Sequence, residues 1–87
     1  MRDYKQFYIG GQWVDPATSK TLDVTDPATE AVVGRINVGS AADVDKAVAA
    51  ATKAFETWSL TSREERLAVL ERIVAEFQNR VNDLADA

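Results

Sequence analysis

The stretch "LDVTDPATEAVVGRINVGSAADVDKAVAAATKAFETW", Leu22 to Trp58, changes its hydrophobic period once, at Ser40. Before that point the chain alternates. Leu22 and Val24 fall on one face of an extended segment, and Thr21, Asp23 and Thr25 fall on the other. Pro27 ends the run, and the Asp26 carboxylate can accept a backbone N–H two residues on, the Asx-turn arrangement. Ala31 to Val38 is apolar and β-branched, with Gly34 inside it marking a bulge or a close backbone contact. The segments Leu22–Thr25 and Val32–Val38 are therefore expected to pair across the "DPATE" turn. Ser40-Ala41-Ala42-Asp43 then fits a helix N-cap with an acid three residues on. Beyond it Val44, Ala47, Val48, Ala51, Phe55 and Trp58 recur at helical spacing along one face.

The flanks extend this pattern in both directions. Phe7-Tyr8-Ile9 and Gln12-Trp13-Val14 bracket Gly10-Gly11, which predicts a two-residue hairpin turn with positive φ at both glycines. "DPATSK", Asp15 to Lys20, is rich in turn formers and reads as a loop. On the C-terminal side, Ser59 to Ser62 breaks the first helix, and Thr61-Ser62-Arg63-Glu64 carries a second capping signal. Leu67, Leu70, Val74, Phe77, Val81 and Leu84 follow at alternating spacings of three and four. Asn79 and Asn82 lower helix propensity, so a break and a third short helix are expected there. "NDLADA" is still helical in character at Ala87, with no Gly cap or closing Pro, which suggests an element cut short.

The totals restrict the function classes. Eighty-seven residues make one small domain or a piece of a larger one, and 46% hydrophobic with 28% charged residues is a globular composition. No cysteine staples the chain and no Cys/His set can hold zinc. The net charge of −4 argues against nucleic acid and against an anionic membrane surface. "MRDYKQ" lacks the apolar stretch of a secretory signal, and no run approaches the ~20 apolar residues of a membrane span, so cytoplasm is the expected location. Without His or Cys there is no Ser-His-Asp triad and no thiolate nucleophile. Neither G-x-x-x-x-G-K-[ST] nor G-x-G-x-x-G, the glycine patterns that cradle phosphates, is present.

Other candidates have structural readings. Glu64 and Glu65, with Asp43 and Asp45, suit helix starts, where the macrodipole favours acids, better than paired catalytic carboxylates. Arg63, Arg66 and Arg72 read as helical partners of the glutamates. Tyr4, Phe7, Tyr8 and Trp13 read as hairpin or interface packing, there being no basic groove beside them for a nucleobase. The Leu67–Leu84 stripe reads as a core face, with a self-associating coiled-coil seam as the other reading.

In order, "FYIGGQWVDP", the Leu22–Phe55 run and "WSLTSREERLAVLERIVAEFQNRVNDLADA" resemble the N-terminal segment of the NAD(P)-dependent aldehyde dehydrogenases. The matching motifs are Tyr8–Val14, Asp26–Glu30, Asp43–Phe55, Trp58 and Arg66–Leu70, and the likeness runs from Lys5 to Ala87. The family has Asn where this chain has Asp26, which keeps the turn's acceptor and loses the amide donor.

The resemblance implies an α+β fragment, with strands about 5–38 and helices about 41–87, of a larger α/β, Rossmann-type enzyme. Residues 1–87 would form the N-terminal portion of its cofactor-binding domain. The whole enzyme would oxidise an aldehyde to a carboxylic acid through a cysteine thiohemiacetal and thioester, using NAD or NADP. It would work as a dimer or tetramer, with no nucleic-acid or membrane partner. The family's catalytic cysteine, glutamate and asparagine and its cofactor-phosphate loop all lie downstream, so no catalytic or cofactor-binding residue is expected on this chain, and the chain alone is expected to be inactive. Its partner would be the remainder of the dehydrogenase polypeptide. Some members also hold a monovalent cation on backbone carbonyls, which by position would be those of Val24 and Thr25. A reading of a different class is a free-standing interaction module that self-associates through Leu67–Leu84.

Overall fold

A computed structural model describes residues 2–87 and divides the chain into two compact units, Met1–Phe55 and Glu56–Ala87. The first unit carries five strands: β1 (Arg2–Tyr4), β2 (Phe7–Ile9), β3 (Gln12–Val14), β4 (Thr21–Thr25) and β5 (Val32–Asn37). Helix α1 (Ala41–Trp58) follows and runs across the boundary between the units. The second unit holds α2 (Arg63–Asn79) and α3 (Val81–Asp86).

β2 and β3 form the expected hairpin, with Tyr8 opposite Trp13 and their rings 5.2 Å apart. Gly10 and Gly11 sit at φ 63° and 79°, a region that costs other residues about 1–2 kcal/mol each. β4 and β5 pair antiparallel as predicted. The turn between them is the Asx-turn read from the sequence, with the Ala28 N–H donating to Asp26 Oδ1 at 2.8 Å. The Asp26 N–H donates to the Ala31 carbonyl and the Glu30 N–H to the Asp26 carbonyl, which puts Glu30 at φ 60°.

Two strand limits differ from the sequence reading, while Gly34 behaves as read. The strands do not begin near residue 5, because β1 pairs in parallel with β5, Arg2 opposite Gly34, and completes a sheet ordered β1-β5-β4. β5 ends at Asn37 rather than Val38, although the Val38 N–H still donates to the Lys20 carbonyl. Gly34 is a close-approach glycine: a Cβ there would lie 2.5 Å from the Arg2 carbonyl oxygen. The ladder shifts register between Val24 and Thr25, which pair with Gly34 and Val32, so Val33 is the extra residue of the bulge.

The second unit begins with a reciprocal cap. Ser62 Oγ accepts from the Glu65 N–H, and Glu65 Oε2 accepts from the Ser62 N–H. The cap thus falls one residue later than the Thr61–Glu64 frame. Thr61 instead donates its hydroxyl to the Trp58 carbonyl at 2.7 Å. α2 stops at Asn79, and α3 begins one residue later, as the two asparagines suggested. Arg66 is no partner of a glutamate here: its Nε donates to Thr61 Oγ1, and its guanidinium lies over the Trp58 ring. The Thr61 hydroxyl and the Trp58 carbonyl at the end of the preceding helix are the nearer acceptors, and they hold the guanidinium.

Among the described residues no apolar side chain is buried. The stripe from Leu67 to Leu84 is exposed by 49% to 59%, so it is not the core of this segment by itself.

Candidate functional site

One polar cluster stands out by its enclosure. Asp43, in the first turn of α1, is 5% exposed and is the one buried polar side chain among the described residues. Helical phase turns it back toward the preceding loop. Its Oδ1 accepts the Ala17 N–H at 2.9 Å, and its Oδ2 accepts the Ser40 N–H at 2.9 Å and the Ser40 hydroxyl at 3.0 Å. The backbone N–H of Ser40, then that of Ala17, hold the carboxyl below the ordinary carboxylate range, against the opposing effect of burial. Three fixed donors, one on Oδ1 and two on Oδ2, orient the carboxylate and lower its basicity. The arrangement binds chain to chain. The sequence signalled the Ser40–Asp43 cap but not the bond to Ala17, which lies 26 residues away.

Elsewhere the chemistry is sparse. One shallow concavity of about 410 Å³ is lined by Thr61, Arg63, Arg66, Leu67 and Leu70. Another of about 380 Å³ is lined by Asp3, Tyr4, Lys5, Gln6 and Trp13. The first has no carboxylate in its lining, and the second holds the exposed ion pair of Lys5 with Asp3 at 3.6 Å. Glu64 and Glu65 occupy the first turn of α2, where Glu65 is spent on its cap. Among the described residues no three His, Cys, Asp or Glu side chains gather as metal ligands.

The expected cation ligands, Val24 and Thr25, lie on β4 opposite the bulged residue Val33 of β5. There the regular alternation of bonded and unbonded peptide groups is interrupted, so backbone oxygens need not all be used within the ladder. The donor set is two neutral carbonyls, which suits a hard, weakly charged cation rather than a transition metal.

Comparison with known proteins carries the assignment further. Residues 13–87 match the model of the aldehyde dehydrogenase family. The chain belongs to that family. All 87 residues align at 46% identity with a 3-succinoylsemialdehyde-pyridine dehydrogenase of a Pseudomonas species, of which they cover 18%. The crystal structure of an aldehyde dehydrogenase from Bartonella henselae superimposes on 99% of the chain with a TM-score of 0.92 and 45% identity. An aldehyde dehydrogenase from Mycobacterium tuberculosis, solved with NAD+, superimposes on 98% with a TM-score of 0.85 and 39% identity. In each structure the chain spans 18% of the neighbour's length, so this aldehyde dehydrogenase segment matches only a part of its relatives.

Proposed function

We propose that Met1–Ala87 is the structural N-terminal segment of an enzyme that oxidises an aldehyde to a carboxylic acid, and that it carries no catalytic residue itself. Family membership over nearly the whole chain, with one alignment reaching only 18% of its relative's length, is the observation that carries this reading. NAD or NADP would take the hydride when bound; the cysteine that forms the thiohemiacetal and thioester would come from polypeptide beyond this segment. The sheet β1-β5-β4 and helices α1 to α3 would brace the cofactor-binding domain, their uncovered apolar faces meeting the rest of the chain. Within this reading the enzyme is a cytoplasmic dimer or tetramer; no helix of the described residues is long and apolar enough to cross a membrane.

The carbonyls of Val24 and Thr25 are proposed to hold a monovalent cation in the complete enzyme. Such an ion would fix the bulge and leave the chemistry to other groups. The location of the bulge supports this.

The test is to express the longest open reading frame containing this segment and to supply it with NAD+ or NADP+ and a panel of aldehydes. Aldehyde-dependent formation of reduced cofactor and of carboxylate is expected. A purified, folded product that binds neither cofactor and self-associates through Leu67–Leu84 would overturn the reading in favour of an interaction module.

A further inference from the structure

The β2–β3 hairpin is lightly attached to the rest of its unit. Its residues pair with one another and lie outside the β1-β5-β4 sheet. Tyr8 and Trp13 are exposed by 64% and 65%, and Phe7 and Ile9 are half-buried. Two close approaches seat it: a Cβ at Gly10 would lie 3.9 Å from Ala50 Cβ of α1, and one at Gly39 would lie 3.6 Å from the Phe7 ring. These are ordinary van der Waals distances and do not interlock. The Gln6 amide donates to Asp15 Oδ1 at 2.9 Å, which closes the hairpin on itself without anchoring it to the helix. The two ends of the hairpin and its loop are held to the sheet, where Asn37 Nδ2 donates to the Lys5 carbonyl at 2.6 Å and the Val38 N–H to the Lys20 carbonyl at 2.8 Å. Between those ends the firm attachment is the Asp43 carboxylate, one oxygen on the loop that leaves the hairpin and the other on the residue that starts α1.

We infer that Asp43 is a clamp, and that the β2–β3 hairpin with the loop from Asp15 to Thr18 is a flap that opens as one unit, hinged at Lys5 and Lys20, when that clamp is released. The two-sided geometry is what makes the clamp depend on a carboxylate. Ala17 and Ser40 both present N–H donors, and only a group with acceptors on both sides can satisfy them together. An asparagine there keeps one acceptor and turns its NH2 toward a donor. A glutamate moves both oxygens outward by one methylene. The residue is a positioning residue, acting through the loop it holds. Ser40 stays tied to α1 when the clamp fails, because the Val44 N–H still donates to its carbonyl at 3.1 Å. The helix start and the sheet are therefore expected to survive opening of the flap.

The experiment is amide hydrogen exchange on the full-length protein carrying Asp43→Asn, with Ser40→Ala as a milder second variant. For Asp43→Asn, amides from residues 7 to 18 should exchange faster together, by about tenfold or more at Ala17, with residues 46–54 of α1 and the β4–β5 ladder unchanged. Ser40→Ala removes the hydroxyl donor and leaves both N–H contacts, so a smaller change confined to the same residues is expected. Unchanged exchange at Ala17 in Asp43→Asn would overturn the inference. So would uniform acceleration across Met1–Phe55, which would make Asp43 a general stabiliser. Should Asp43→Asn fail to fold, Ser40→Ala decides by the same criterion of confinement to residues 7–18.

Discussion

Removing everything beyond Ala87 should leave a chain that cannot hold its fold. The structure exposes 7374 Å². A folded monomer of 9.5 kDa is expected to expose about 5,000 Å². The excess is about 2,300 Å², of which rather more than half, about 1,300 Å², is expected to be apolar. At about 25 cal/mol per Å² that surface forgoes on the order of 30 kcal/mol, an upper figure because denatured chains are themselves partly collapsed. Ordinary domains are stable by about 5–15 kcal/mol, so even half of the deficit is as large as the upper end of that margin. The isolated 87-residue chain should keep part of its helical far-ultraviolet signal, lose the near-ultraviolet signal of Trp13 and Trp58, bind a hydrophobic dye and melt without a cooperative transition. Circular dichroism, dye fluorescence and sedimentation on the purified chain measure each of these. A monomeric, dye-silent chain with a sharp two-state melt would refute the reasoning, since the exposed stripe from Leu67 to Leu84 would then need no cover.

Three further outcomes follow for the full-length protein. Gly34→Ala should cost about 1–3 kcal/mol in urea unfolding, because the new methyl would lie 2.5 Å from the Arg2 carbonyl and β1 must shift away from β5; an unchanged midpoint would contradict that pairing. Glu30→Gly should stabilise by up to about 1 kcal/mol, since relief of a positive φ outweighs the added freedom of the unfolded chain; a loss of stability would show that the Glu30 side chain has a use beyond the turn. Acid should release Asp43. Its carboxyl is held low by the Ser40 and Ala17 N–H groups, so its contribution is complete above the unfolded value of about 3.9 and is lost as the pH falls through the lower folded value. Protection of the Ala17 amide, followed by exchange against pH, should therefore be flat above that range and fall below it; a fall near neutrality would assign the clamp to another group.

Local signals were legible in the sequence and distant ones were not. Gly10-Gly11, the Asp26 turn, the Ser40–Asp43 cap and the asparagine break after α2 are each written within a few neighbouring residues, and each forms where it was read. β1 is a different case. Arg2-Asp3-Tyr4 has no strand pattern of its own and is extended because β5, 32 residues later, offers a free edge. The bond from Asp43 to Ala17 depends on the same kind of return. The second cap slipped by one residue because Thr61 and Ser62 both begin an acceptable box, and only the chain path selects Ser62. Arg66 was misassigned because helical spacing brings glutamates within reach while the end of α1 lies nearer. The apolar periodicity of α2 was read as a core face; within this segment that face is exposed, and periodicity cannot say what covers it.

The central claim is that this segment braces an aldehyde dehydrogenase and performs none of its chemistry. Its most direct test is reduced-cofactor formation by the purified Met1–Ala87 chain, supplied with NAD+ or NADP+ and with an aldehyde that the full-length enzyme oxidises. The account predicts no turnover above the uncatalysed background. Sustained, aldehyde-dependent turnover that scales with the concentration of the 87-residue chain would contradict it.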